Sequence, residues 1–422
     1  MTMENISTLK LDTPIKKTTT LDFLIHVLCF LSVLFIGADV LGINVGVNIR
    51  IDQLFLTLLT ACLILNNSYR VKRSWPIIIF LLTTLLSTFF AINVIRASIY
   101  YLSIVFNVFI VFYCFTSYIN CYGINKFFKI FRNTLYLQTV LIVIQFLLKV
   151  SLGLNIPLLQ DYGYYFGIPR FCLWFYEPSY FATYFLFWFT LSFYNLVIYK
   201  NKGYLKDVTL ALIGIFLSTS GTGYIGMFFA VALIYLIWIF KSISLKKILV
   251  MFLIIALGFL FYFLFKNVFD TFVGRIFEVD LNTATGGRVE QWAETYNVFK
   301  ENILFGVGPG CYGLYLTGNT ELVPSNVTLE LMATTGLFAA LAFYSLTVAY
   351  VVYSYRLNKK YNNKDTHLLI SLVTSLIVFT FILQVNQGYL RLYHWMFFGI
   401  IEGLICIIRA DVTNDNRNFN QN

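Results

Sequence analysis

The sequence predicts an all-α polytopic membrane protein, and three observations carry that prediction. Hydrophobic residues fill 59% of the 422 positions, only 12% are charged, and the mean hydropathy is +0.76. A soluble fold with so little charge could not cover its surface. The apolar residues fall in runs of about 15 to 25, the length a helix needs to cross a bilayer. The basic residues cluster in every second loop, as they do when loops alternate between two sides of a membrane.

Twelve runs qualify as spans, near residues 22–38, 51–65, 75–92, 98–119, 133–150, 177–199, 207–220, 222–240, 247–266, 327–354, 367–386 and 391–408. The seventh and eighth meet at Ser220-Gly221-Thr222-Gly223 and read as a helical hairpin or one broken helix. Residues 1–21 form a polar leading segment without a small-residue cleavage pattern and are expected to be retained. Residues 22–408 then form a single transmembrane domain, and residues 409–422 a short polar tail expected to be disordered.

Topology follows from the cations. Of the 30 Lys and Arg, 21 fall in one alternate set of loops and ends, in groups such as Arg70, Lys72, Arg73 and Lys126, Lys129, Arg132. The positive-inside rule puts that set, with both termini, in the cytoplasm. The net charge of +10 is then a topology signal, and nucleic acid is not an expected partner. The other nine are Arg50, Arg96, Lys149, Arg170, Lys266, Arg275, Arg288, Lys300 and Arg391. They oppose the bias, so each needs a reason. Three of their arginines lie in the two long outer loops, 151–176 and 267–326.

In the second of those loops Arg288 opens a helical pattern. Val289, Trp292, Tyr296, Phe299 and Ile303 make an apolar stripe, and Glu290, Gln291, Glu294, Asn297 and Glu301 the polar face. Such a helix lies along the membrane or caps a cavity. Its first turn favours an anion, so a phosphate there would meet both the helix dipole and the Arg288 guanidinium. The plainer alternative is a solvated arginine or an ion pair with Glu290 or Glu294. Gly306-Val-Gly-Pro-Gly310 resembles a phosphate loop in composition. It follows no predicted strand and lacks the lysine, so a structural turn is the better reading.

The first loop gathers Tyr162, Tyr164, Tyr165, Phe166, Phe171, Trp174, Phe175 and Tyr176 around Arg170, which suits sugar faces but equally an interfacial aromatic belt. Pro178 fixes a helix start and aims Glu177 outward, as a general base or an arginine partner. Near the outer end of the last span Arg391 and His394 offer a cation and a second base, or a snorkelling belt. Glu330 lies just inside the span after the large loop. The seven cysteines show no metal-ligand spacing. Cys172 and Cys311 alone share the outer side, as two free thiols or, less readily, a disulfide.

Arg170–Ser179 (RFCLWFYEPS), Ser218–Gly223 (STSGTG), Gly287-Arg288 with its tryptophan helix, GVGPG, Ser325-Asn326, Leu329-Glu330-Leu331 and Gly336-Leu337 occur in an order that resembles the O-antigen polymerase and O-antigen ligase (Wzy and WaaL) superfamily. The resemblance implies a GT-C-like glycosyltransferase, metal- and nucleotide-independent and without a cofactor. It would act at the outer face of the cytoplasmic (inner) membrane on undecaprenyl-pyrophosphate-linked glycans. Outer-loop arginines bind the lipid pyrophosphate in that superfamily, which maps onto Arg170 and Arg288, with Arg275 and Arg391 in reserve. Ligase-like members often carry a histidine where this chain has Ser325, which favours the polymerase branch. The expected site is then Glu177 or His394 as base, the four arginines on pyrophosphate, and Tyr176, Trp292, Asn326 and Glu330 as further substrate contacts. A chain-length regulator and a repeat-unit flippase are partners implied by the resemblance. The alternatives are a ligase and, from another class, a flippase or other twelve-span transporter.

Overall fold

The computed structural model describes residues 19–44, 48–156, 159–165, 168–241, 287–320 and 322–419. Within them α1 (Thr19–Leu34) leads through a hairpin, β1 (Gly42–Asn44) and β2 (Asn48–Arg50), into α2 (Ile51–Leu65) and α3 (Trp75–Phe89). Next come α4 (Val94–Phe106), a π-helical turn (Asn107–Phe112), α5 (Tyr113–Tyr122) and α6 (Ile124–Leu152). A second hairpin, β3 (Asp161–Tyr165) and β4 (Ile168–Phe171), precedes α7 (Pro178–Ile198), α8 (Leu205–Ser218) and α9 (Gly221–Lys241). The last group is α10 (Arg288–Glu301), α11 (Tyr312–Thr317), α12 (Val327–Tyr361), α13 (Lys364–Ile382) and α14 (Leu392–Phe419).

Among the described residues seven helices are long and apolar enough to cross a membrane: Val94–Tyr122, α6, α7, α9, α12, α13 and Leu392–Ala410. Thr20–Leu34, Ile51–Leu65 and Trp75–Phe89 are shorter apolar helices. The all-α polytopic class is therefore what the chain adopts. The expected span 247–266, with Arg275, lies outside the described residues. Two expectations need correction. The tail does not start as coil after residue 408, because α14 runs on to Phe419; no Gly or Pro lies between residues 409 and 419, and a helix rooted in a span propagates at little cost. The outer loop 151–176 also holds a β-hairpin, with Arg170 on its second strand.

Helix α7 is apolar all round because it is buried all round: Pro178 sets its first turn, and α8, α9 and α13 pack around it. Helix α14 packs on α5 and on the π-helical turn. A π turn disturbs the regular backbone ladder, so its polar groups need other partners. Thr60 donates to the Ile110 carbonyl at 3.2 Å, and Tyr69 to that of Phe109 at 2.6 Å. Asn107 in turn donates to the carbonyl of Leu390 at 3.0 Å, which ties this turn to the loop before α14.

The two ends of the bundle differ in chemistry. At the end bearing the clustered cations, Tyr122 donates to Asp22 at 2.6 Å and Arg132 pairs with Asp207 at 2.7 Å. At the opposite end the loops carrying Asp39, Arg50, Gly310, Val323 and Arg391 converge.

Helix α12 is broken at Gly336, whose φ of 83° and ψ of 173° are not helical. The break exposes backbone groups that the GVGPG turn takes up: Val307 and Gly308 donate to the Ala333 and Thr334 carbonyls at 2.9 Å each, and Leu337 donates to Ile303 at 2.9 Å. Gly336 sits so close that a Cβ there would meet the Leu304 carbonyl oxygen at 2.1 Å. Gly306 and Cys311 N–H groups are likewise spent on the Asn302 and Gly308 carbonyls. A phosphate cradle needs free N–H groups. Gly306, Val307 and Gly308 have spent theirs on structure, so this is a structural turn, the hinge that brings the chain back to α12.

Candidate functional site

The convergence of loops is held by charge. The β1–β2 hairpin pairs Gly42 with Arg50 and delivers Arg50 to the N-cap of α2, where its N–H donates to Gln53 at 3.2 Å. Its guanidinium reaches Asp39 at 2.5 Å and Asp52 at 3.2 Å. The other oxygen of Asp39 pairs with Arg391 at 2.5 Å, and Arg391 lies flat on the Tyr180 ring, 3.7 Å from its centroid. One carboxylate, only 8% exposed, thus bridges two arginines from distant parts of the chain. Burial lowers the pKa of Arg391, and Asp39, Tyr180 and Tyr393 together outweigh it, holding the group above the ordinary arginine value.

Beside this bridge is a cavity of about 230 Å³ whose lining includes Arg50, Tyr100, Val323, Glu330, Gln387 and Arg391. Glu330 is buried in the first turn of α12, 8% exposed, and its Oε2 has no hydrogen-bond partner among the described residues. The start of α12 is bolted in place. Asn326 caps it by accepting from Leu329 N–H at 3.0 Å, and donates to the Gln384 carbonyl at 2.8 Å. The segment before it is clamped by α10: Gln291 donates to Val323 O at 3.0 Å and accepts from the Ser325 hydroxyl at 2.8 Å, while Trp292 Nε1 donates to the same hydroxyl at 3.3 Å.

Not every expected residue meets there. Arg391 and Glu330 line the cavity, whereas Asn326 and Trp292 support its wall. Arg288 opens α10, half-buried behind Gly287 in a left-handed turn, and makes no ion pair among the described residues; neither Glu290 nor Glu294 pairs with it. Glu177 is the N-cap residue of α7; its carboxylate accepts from the Ser179 hydroxyl at 2.9 Å rather than capping the helix, and it is half-exposed. Tyr176 beside it is 54% exposed, and its N–H donates to Asp39 at 3.4 Å. Arg170 stands on β4, within electrostatic reach of Tyr224 at the start of α9. His394 is 1% exposed and enclosed by the rings of Phe343, Phe379 and Phe398, so no path to an acceptor hydroxyl is open to it.

The expected apolar stripe of α10 is rotated. Thr295, Val298 and Phe299 are its buried residues, with Thr295 donating to Tyr312, whereas Tyr296 and Ile303 are about half exposed. The helix faces α12 and α11 rather than lying flat on its most apolar side. Cys172 and Cys311 are both buried and are not joined in a disulfide.

The other outer cations also find reasons. Arg96 donates to the Gly310 and Thr320 carbonyls at 2.6 Å each and staples the hinge, and Lys149 donates to Asn155 at 2.8 Å. Asp39 and Asp52 were not among the expected site residues. The signal was there: two acids flank Arg50 in the stretch GADVLGINVGVNIRIDQ, which carries no other charge.

Fold and site together define a polytopic α-helical membrane protein with a polar, charge-bridged cavity at one end of its bundle. Residues 208–344 match a family model described as O-antigen ligase, a stretch that runs from α8 past the break in α12 and contains Arg288, Trp292, Asn326 and Glu330. That similarity supports the polymerase and ligase superfamily and a role in glycan transfer or polymerisation, and it bears equally on both branches. Among curated proteins none matches the chain. Arg170, Glu177, Arg391 and His394 lie outside the matched stretch.

Proposed function

We propose that this protein is a Wzy-like polymerase that joins undecaprenyl-pyrophosphate-linked repeat units at the outer face of the cytoplasmic membrane. The growing glycan on its carrier is the donor, and the non-reducing-end hydroxyl of an incoming lipid-linked repeat is the acceptor. The observation that carries the reading is Arg288: a guanidinium without an ion-pair partner among the described residues, on the first turn of a helix, inside the matched stretch. Breaking the glycosidic bond to pyrophosphate leaves negative charge on the leaving group, and a fixed cation at a helix N-terminus stabilises that charge as it forms. Arg170 is the second cation in this scheme, with Arg275 in reserve. Arg391 is the weakest of the four, because Asp39 already neutralises it.

The acceptor hydroxyl loses a proton as the new bond forms, and Glu177 takes it. Its half-exposed carboxylate engages only the Ser179 hydroxyl among the bonds described, which a substrate hydroxyl can replace. The burial of His394 favours Glu177 over it.

Arg288→Ala, inserted at the wild-type level, is expected to abolish the polymer ladder in a polymerase-deficient strain. Full-length ladders from that variant would sink the reading. Glu177→Gln is expected to lower polymer yield by about 10²-fold or more, the usual size of general-base catalysis; wild-type yield would remove the base role alone. The ligase alternative is decided on the same gel, since a deletion strain that keeps full-length polymer on its carrier lacks a ligase, and one that displays single repeats lacks a polymerase. Polymer formation in liposomes without an ion gradient excludes the transporter.

A further inference from the structure

The cavity at the arginine bridge has the wrong charge for the pyrophosphate. Among the described lining residues Arg50 and Arg391 are the cations, and Asp39 and Asp52 balance them one for one at 2.5 to 3.2 Å. Glu330 then adds a third carboxyl group to the cluster. In neither protonation state of Glu330 does the cluster carry net positive charge. A multiply charged pyrophosphate would gain little there and would face an acid.

What remains suits an uncharged polar ligand. The Glu330 Oε2 is buried without a hydrogen-bond partner among the described residues, and a buried carboxyl oxygen demands one. The Gln387 amide offers a donor and an acceptor, and Tyr100 adds an aromatic side chain to the lining. At about 230 Å³ the cavity is smaller than the roughly 300–1,000 Å³ of sites for drug-sized ligands. It admits one sugar ring and no complete oligosaccharide.

We infer that this cavity is a subsite for one uncharged pyranose residue of the glycan, with a ring hydroxyl donating to Glu330 and a ring face against Tyr100. The inference rests on the glycan-transfer reading above and deepens it. Asp39 is the positioning residue: by neutralising Arg50 and Arg391 it makes the pocket accept sugar and refuse phosphate. The carrier's pyrophosphate is left to Arg288, on the helix whose Gln291 and Trp292 hold the Val323–Ser325 segment.

The test uses the full-length protein in lipid nanodiscs and two probes, the free oligosaccharide repeat cleaved from the source strain's own polymer and inorganic pyrophosphate, each titrated by calorimetry. The wild type is expected to bind both, without competition between them. Glu330→Gln is expected to weaken oligosaccharide binding up to about tenfold, the worth of one hydrogen bond, while pyrophosphate binding is unchanged. Asp39→Asn is expected to let pyrophosphate compete with the oligosaccharide. Equal oligosaccharide affinity in wild type and Glu330→Gln overturns the inference. So does a wild type that binds no oligosaccharide, or one in which pyrophosphate displaces it. A wild-type melting curve for Glu330→Gln certifies its fold. Failure of the enzymatic reading shows elsewhere, as no polymer from wild-type protein supplied with lipid-linked repeat.

Discussion

Asp39→Asn is the most informative single change, because the side chain keeps its shape and loses only its charge. In the wild type the carboxylate, 8% exposed, holds Arg50 and Arg391, which are 18% and 19% exposed. Removing one partner of a buried ion pair costs about 3–5 kcal/mol, mostly because the other charge is stranded. Here the loss is cushioned on both sides. Arg50 keeps Asp52 at 3.2 Å, and Arg391 keeps the Tyr180 ring at 3.7 Å, a contact worth roughly 0.5–2 kcal/mol. The expected destabilisation is therefore about 2–3 kcal/mol. Reversible unfolding in mixed micelles, read alongside Arg391→Gln and the double variant, gives the coupling directly. The double variant should lose less than the sum of the singles, by about 1–3 kcal/mol. Strict additivity would show that the bridge carries no energy, and with it would go the claim that Asp39 sets the charge of the cavity.

Two further outcomes follow from the packing. Gly336→Ala places a methyl group 2.1 Å from a backbone oxygen in a conformation, φ 83° and ψ 173°, that only glycine adopts readily, so it is expected to cost about 3 kcal/mol or more and to appear as lower yield and an earlier melt; a wild-type melt would mean that the break in α12 is not needed. His394→Phe puts an aromatic ring into an aromatic cage and is expected to leave polymer yield within about twofold of wild type; an inactive but folded variant would return His394 to the list of bases.

Most of the architecture follows from local pattern. Apolar runs of bilayer length give the spans, and the expected start of α2 at Ile51, of α3 at Trp75, of α10 at Arg288 and of α12 at Val327 is where each helix begins. Those starts are legible because helix initiation is written in a few adjacent residues: Ser74 before Trp75-Pro76, Gly287 before Arg288, Asn326 before Val327. The same locality explains the failures. Which face of α10 is buried depends on α12 and Tyr312, not on the stripe within the helix, and nothing near residue 409 announces whether α14 continues.

The functional residues divide along the same line. The sequence alone determined that outer-loop cations need a reason, because unpaired charge in an apolar chain is expensive and its position can be read along one dimension. It also gave the superfamily resemblance, which the match over residues 208–344 supports. Only the tertiary structure decided which reason applies to each cation. It spends Arg96 on the hinge, neutralises Arg391 and Arg50 through Asp39, and leaves Arg288 without an ion-pair partner among the described residues. Charge compensation depends on what lies within a few ångströms, and Asp39 and Arg391 are 352 positions apart. The polar end of the bundle, and the neutral cavity within it, come from that pairing across the fold.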